Sequence, residues 1–341
     1  MKVAVYYNNS DIRTEEMPIP EIRPGELLVK VMASGICGSD VMEWYRVKKA
    51  PLVLGHEIAG TVVEVGEGVD GYRKGDRVFV THHVPCEACL YCVSGNETMC
   101  ETLRTTNFFP GGFAEYIRVP KINVENGTLL LPKEISYEEG TFIEPLGCVV
   151  RGQRIAEIKK GQTVLVLGSG ISGLLHIQLA KVRGAGKIVA TDIDEYRLKA
   201  AKRFGADVVL NAKDDVPMGV LKSNENRLAD RVIVCTGAPS AIKQALQSVD
   251  RGGTILFFAP TEPGVEVPIH IDELWTAGIT LKTSYGAVKK DLEEAMELIK
   301  RAQINVKDMI THRLSLSETG KGFQIFSSGK GCIKVMIKPH G

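Results

Sequence analysis

Short apolar runs and strict alternations open the chain. Lys2–Tyr7 (KVAVYY) and Glu26–Ile36 (ELLVKVMASGI) follow the pattern of half-buried strands. The proline-rich stretch PIPEIRPGE between them reads as a turn. GHEIAGTVVEVGEGV, GDRVFV and GGFAEYIRVP add further short strands punctuated by glycine, so the N-terminal part predicts a β-rich, barrel-like module.

Near residue 145 the rhythm changes. TVLVLGSGISGLLHIQLAKVRGA reads as an apolar strand, a glycine turn and a helix, and KIVATDIDEYRLKAAKRFGA repeats strand then helix. DRVIVCTG, AIKQALQSVDRG and GTILFFAP continue the alternation, DLEEAMELIKRAQ is a later helix, and GCIKVMIKPH is again a strand. Apolar strands alternating with helices predict a parallel sheet covered on both faces. The expected architecture is α/β with two domains. Residues 1–145 and 286–341 form the β-rich domain, and residues 146–285 form a doubly wound domain inserted into it.

Composition narrows the setting. Of 341 residues, 44% are apolar and 24% charged, which suits a globular chain of two domains. A net charge of +1 favours neither nucleic acid nor acidic membranes as a partner. The opening residues lack the apolar core of a secretory signal and no apolar run is long enough for a membrane span, so the expected location is cytoplasmic. Cysteines are reduced there, and a tight cluster points to metal rather than disulfides.

Such a cluster occupies residues 86–100, with the spacing Cys86-x2-Cys89-x2-Cys92-x7-Cys100. Four thiolates can enclose one zinc tetrahedrally, and a closed sulfur shell leaves no position for substrate, so the site is structural. An iron–sulfur cluster also takes four cysteines, with different usual spacing. Four unliganded cysteines are the bland alternative.

Gly168-Ser169-Gly170-Ile171-Ser172-Gly173 fits G-x-G-x-x-G and sits between an expected strand and helix, the context that makes this motif informative. Gly168 permits the turn, Gly170 lets a pyrophosphate approach the backbone, and Gly173 allows close helix–strand packing. Asp192 ends the next strand, 24 residues after Gly168. A carboxylate there accepts hydrogen bonds from the adenosine ribose and repels a 2′-phosphate, so NAD is expected over NADP. Arg197 lies near the adenine or on a solvated helix face. His176 reads as a packing histidine.

Cys37 (in GICGSD), His56 and Glu57 (in GHE) are all zinc-ligand types, but no short spacing joins them and alone they only suggest a site. The wider pattern decides more. GICGSD, GHEIAGTVVEVGEGV, GDRV, the four-cysteine lobe, GGFAEY, IEPLG and VLVLGSGISG occur in the order seen in zinc-dependent medium-chain alcohol dehydrogenases. The chain resembles that family over essentially its whole length, and its HE and EPL variants are most similar to the polyol (sorbitol) and threonine dehydrogenase branch.

The resemblance implies a GroES-like catalytic domain and a Rossmann coenzyme domain. It implies two zinc ions per chain, one structural in the cysteine lobe and one catalytic on Cys37 and His56, with Glu57 and Glu144 each binding directly or from outside the ligand shell. Ser39 matches the hydroxyl that starts the proton relay. Ile171, Ser172, Thr236, Phe258, Ala259, Ser284, Tyr285 and Cys148 match positions around the coenzyme. The implied reaction is reversible oxidation of a small-molecule alcohol, a polyol or sugar-like compound, with zinc acidifying the hydroxyl and hydride passing to the nicotinamide. A homodimer or homotetramer is implied as well.

Met42 departs from the pattern, because many relatives carry a proton-passing histidine there. A thioether cannot carry a proton, which weakens the L-threonine 3-dehydrogenase alternative. A simple alcohol dehydrogenase is a further alternative. A non-enzymatic, zinc-less relative would lack the ligand sets present here. Trp44 and Tyr45 are candidates for the substrate pocket or for local packing. Arg46, Arg151 and Arg154 are candidate anchors of a polar substrate or structural charges. His82 and His83 precede a lobe whose four cysteines already complete a shell, so neither is taken as its ligand, and one of them is a candidate for the border of the active-site cleft. Cys235 and Cys332 read as core.

Overall fold

The computed structural model describes residues 1–341. The chain divides into two units, one of Met1–Gly147, Gly286–Ala302 and Val306–Gly341, the other of Cys148–Tyr285 with Gln303–Asn305. The tripeptide joins the second unit for a local reason. The Gln178 side chain accepts from the Asn305 backbone N–H at 2.8 Å and donates to its carbonyl at 3.3 Å.

The first unit is built on a seven-stranded sheet. Its order is Ile310–Ser315, Lys334–Lys338, Leu27–Gly35, Glu57–Val65, Arg77–Thr81 and Thr128–Leu130, with Tyr116–Val119 also paired to Leu27–Gly35. Leu27, Val29 and Val31 alternate into a core with Ile58, Val62, Val78, Val80 and Ile117. Each such fully buried side chain contributes about 1.5–3 kcal/mol. Lys2–Asn8 does not join this sheet but forms a smaller one with Asp11–Glu16 and Leu52–Val53. The sequence pattern hides that sheet because its hairpin strand, DIRTEE, is polar and largely solvated. Tyr6, Phe113 and Phe323 centre a second core beneath it.

The second unit holds a six-stranded sheet in the order Val208–Asn211, Lys187–Asp192, Thr163–Leu167, Ala229–Val234, Val249–Phe257, Thr280–Thr283. Every neighbouring pair is parallel. All five residues of Thr163–Leu167 are buried, as a central strand covered on both faces must be. Chain order reverses direction between Thr163–Leu167 and Ala229–Val234, and in such sheets ligands bind beyond the carboxyl ends of the strands at this switch point.

Within the second unit His176 is fully buried on the helix Ile171–Val182, edge-on to Phe258 at 4.5 Å. The Gln153 amide nitrogen lies 3.3 Å from its Nδ1. Burial, with a smaller contribution from Arg183, lowers its pKa to about 3. The native state therefore stays neutral at His176 while the unfolded chain protonates near the ordinary histidine value. Stability is expected to fall as pH drops below about 6.5, by at most about 1.4 kcal/mol per pH unit from this group. Urea unfolding at pH 7 and pH 5 measures it, and His176→Leu should flatten the slope. An equal slope in that variant would contradict the assignment.

Candidate active site and metal centres

Strand register assembles the first cluster. Gly35 pairs with Glu57 on one side and Met336 on the other, and Glu57 pairs with Thr81. Cys37 follows the end of the first of these strands, His56 immediately precedes the second, His82 follows the third, and Lys334 begins the fourth. Residues far apart in sequence thus meet at one end of the sheet. Single ligand atoms of Cys37, His56 and Glu57 all lie within 4.8 Å of one another. One sulfur, one imidazole and one carboxylate form a donor set suited to zinc, with fewer than four protein ligands. Glu144 sits in the first turn of the helix Ile143–Ile155 and is buried, but it is not part of this converging group.

Glu57 is 1% exposed and Lys334 0% exposed, and the two form a buried ion pair. Lys334 Nζ also donates to the Ile36 carbonyl at 3.0 Å and lies 5.6 Å from the Phe142 ring centroid. Gly35 makes room for the pair, since a Cβ there would stand 2.2 Å from Glu57 Oε2 and 2.6 Å from Lys334 Cε.

Asp40, also fully buried, is the organiser of the Cys37 loop. It accepts from the Cys37 backbone N–H at 3.0 Å and lies 3.3 Å from His56 Nδ1. Burial pushes the Asp40 carboxyl up, but the charges of His56 and Arg46 outweigh it and hold the group below the usual carboxylate range. Burial likewise disfavours the charged form of His56, and the negative groups Asp40 and Cys37 overcome it, raising His56 well above the ordinary value. A carboxylate on one ring nitrogen fixes the imidazole and leaves the other nitrogen for a metal.

Ser39 Oγ lies 3.6 Å from Cys37 Sγ and accepts from Arg46 Nη2 at 3.0 Å. Tyr45 is partly exposed and lies under the Arg46 guanidinium, 4.7 Å from ring centroid to Cζ. The short helix Glu43–Arg46 that carries both starts just after Met42. Trp44 packs on Tyr45 with ring centroids 5.8 Å apart. The His82 ring lies tilted against His56 and His83, with ring centroids 4.7 and 3.7 Å apart. Burial first, then the neighbouring positive charges, holds His82 well below the ordinary value and His83 at about 4, so both stay neutral.

The four cysteines of the lobe converge independently. Sulfur separations are 3.5 Å for Cys89–Cys92, 3.6 Å for Cys86–Cys100 and 4.0 Å for Cys86–Cys92. A tetrahedron with metal–sulfur bonds of about 2.3 Å has edges of about 3.8 Å, so the cage is the size zinc requires. Backbone N–H groups of Cys86 and Cys89 point at Cys100 and Cys86 sulfurs at 3.4 and 3.3 Å. Burial pushes Cys92 up to about 12, whereas at Cys100 the backbone donors outweigh burial and bring the thiol down to about 6.

In the second unit the glycine motif has the geometry of a phosphate-binding turn. Gly168 takes φ +93°, and a Cβ on Gly173 would stand 1.9 Å from the Gly168 carbonyl oxygen. Nothing lies within 4 Å of a Cβ placed on Gly170, which leaves an open approach to the backbone where Ile171 and Ser172 begin the helix. Asp192, buried at its strand end, accepts from the Ser169 and Asp194 N–H groups at 2.8 and 3.0 Å. Arg197 lies on the helix Glu195–Arg203 that follows. Thr236, Phe258, Ala259, Ser284 and Tyr285 all follow the carboxyl ends of their strands, on the same edge as Gly168 and Asp192. Cys148, Arg151 and Arg154 lie on the helix Ile143–Ile155, where Arg151 is buried and Arg154 exposed. Cys332 is buried, and Cys235 follows the strand Ala229–Val234 in a half-buried position.

Known proteins match both units. The alcohol dehydrogenase GroES-like domain family matches residues 23–129, and the zinc-binding dehydrogenase family matches residues 172–301. A sorbitol dehydrogenase of Bacillus subtilis (strain 168) is 32% identical over 353 aligned residues, covering 100% of this chain and 98% of its own. A sorbitol dehydrogenase of Mus musculus is 34% identical over 349 residues, covering 98% and 94%. The crystal structure of a protein from Sinorhizobium meliloti 1021, described as a zinc-binding dehydrogenase bound to NADP, superposes with a TM-score of 0.89 at 29% identity over 99% of both chains.

Proposed function

This chain belongs to the zinc-dependent alcohol dehydrogenase family, and from that premise we propose that it is an NAD-dependent dehydrogenase that reversibly oxidises a secondary hydroxyl of a polyol or sugar-like substrate to a ketone. The observation that carries the reading is the convergence of Cys37, His56 and Glu57 within 4.8 Å beside the Ser39 hydroxyl. The sorbitol dehydrogenases among its relatives supply the substrate class.

Cys37 and His56 hold the catalytic zinc, with Glu57 or Glu144 completing the protein's share of the shell. When bound, this ion supplies Lewis acidity to the substrate oxygen. Asp40 keeps His56 oriented, and Ser39 takes the substrate's hydroxyl proton as it passes its own to water. The glycine turn binds the pyrophosphate at the start of the helix Ile171–Val182, and Asp192 takes the adenosine ribose. Cys86, Cys89, Cys92 and Cys100 hold the second, structural zinc.

The test is formation of NADH by zinc-loaded protein with sorbitol, xylitol, galactitol, inositols, 2,3-butanediol, L-threonine, ethanol and 2-propanol. Preference for the polyols is expected. Preference for L-threonine or for a simple alcohol would overturn the substrate class, and silence with two zincs bound would overturn the polyol assignment while the family membership stands.

The coenzyme preference is a separate prediction. On this reading the buried Asp192 carboxylate faces the adenosine ribose and repels a 2′-phosphate, so kcat/KM with NAD should exceed that with NADP by on the order of a hundredfold. The Sinorhizobium relative's NADP makes the comparison worth running. Equal use of the two coenzymes would contradict it.

No helix is long and apolar enough to cross a membrane. The same reading makes the protein cytoplasmic and homo-oligomeric, a dimer or tetramer. The strand Thr280–Thr283 at the end of the parallel sheet and the exposed Ile271 and Trp275 next to it support self-association. Analytical ultracentrifugation tests it, and a monomer at micromolar concentration would count against it.

A further inference from the structure

Met42 leaves the Ser39 hydroxyl without the histidine that the family resemblance leads one to expect, and the structure supplies a different neighbour. Arg46 Nε donates to the Ser39 carbonyl at 2.9 Å, and its Nη2 donates to Ser39 Oγ at 3.0 Å. The same Nη2 lies 3.8 Å from Asp40 Oδ1. The guanidinium side chain is only 16% exposed and lies over the Tyr45 ring, so it is held in place rather than sampling solvent.

Arginine is donor-only, which fixes the polarity of this contact: Ser39 Oγ must accept. A serine hydroxyl has one hydrogen and two lone pairs. With one lone pair taken by Arg46, one lone pair remains, and the one hydrogen is directed at Cys37 Sγ, 3.6 Å away, until it turns to be released. That is the minimum a hydroxyl needs to accept a proton from a substrate alcohol on one side and release its own on the other. Resting on the dehydrogenase reading above, we propose that Arg46 is a positioning residue that fixes the Ser39 hydroxyl in its proton-passing orientation, in place of the histidine absent at Met42. Arg46 itself transfers no proton. The proton that leaves Ser39 goes to water.

The experiment compares wild type, Arg46→Met, Arg46→Lys, Ser39→Ala and the double variant Arg46→Met/Ser39→Ala, all zinc-loaded, on the best substrate of the panel. Arg46→Met should lower kcat tenfold or more with KM within threefold. Arg46→Lys should recover part of the loss, and added methylguanidine should partly rescue Arg46→Met. In the Ser39→Ala background the arginine change should alter kcat less than threefold. Zinc content, and the chelator concentration that removes zinc, should match wild type.

A kcat within twofold of wild type in Arg46→Met would overturn the proposal. So would an equal kcat loss with Ser39 absent, or easier loss of zinc, which would place the effect on Asp40 and His56 instead. Those outcomes in an active enzyme leave the dehydrogenase reading standing, whereas a wild type inert on the whole panel sinks the polyol assignment and this proposal with it.

Discussion

Lys334→Met is expected to destabilise the metal-free protein by about 3–5 kcal/mol, because it leaves the Glu57 carboxylate charged, buried and unpaired. The methionine fills a similar volume, so lost packing accounts for little of this. A Glu57→Gln/Lys334→Met double variant should regain much of the loss, since neither member of the pair is then left as an unpaired charge. Urea unfolding of the metal-free protein is the measurement, because a bound cation near Glu57 would partly replace Lys334. A change below about 1 kcal/mol would mean that water or another group reaches Glu57.

Cys100→Ser is expected to reduce zinc from two ions per chain to one and to unravel residues 86–100. The lobe has little else to hold it. Its core comprises Cys92, Cys100, Leu103 and Val288, with Cys86 and Cys89 packed against them. Leu90, Tyr91 and Val93 are exposed. Losing the metal should cost more than about 4 kcal/mol, and limited proteolysis should cut within the lobe first. Two retained zincs, or a lobe as protease-resistant as wild type, would contradict a structural metal site.

The sequence was most informative where chemistry is local. The cysteine cage lies within fifteen residues, and the glycine turn with Asp192 within twenty-five, so spacing makes the first visible and spacing together with the flanking strand and helix makes the second visible. The parallel sheet was legible for a similar reason, because strands such as Thr163–Leu167 are buried on both faces and read as apolar blocks. The Cys37 cluster is different in kind. Register brings it together, with Gly35 opposite Glu57 and Glu57 opposite Thr81, and no linear spacing encodes that. Family resemblance, rather than periodicity, pointed to it.

Lys334 and Asp40 gave no usable signal. A lysine within the apolar run GCIKVMIKPH reads as the solvent side of a strand, yet its partner lies 277 positions away. Asp40 is a lone acid in a polar loop, and only its contacts with the Cys37 amide and His56 give it a role. Four cysteines complete the neighbouring shell without His82, and its ring lies against His56, which agrees with the alternative that one of the two histidines borders the active site.

The Glu57–Lys334 pair also orders events in time. At a synthesis rate of about 5–20 residues per second, roughly a quarter of a minute to a minute separates the two residues' emergence from the ribosome. Until Lys334 emerges, burying the Glu57 carboxylate would leave it without its partner, a cost that holds the strand Glu57–Val65 back from its final burial. The second unit is almost one continuous stretch, Cys148–Tyr285, and can fold while the first still waits. The unit that carries Cys37, His56 and Glu57 is therefore the last part of the newborn chain to close, although these three residues are among the first made.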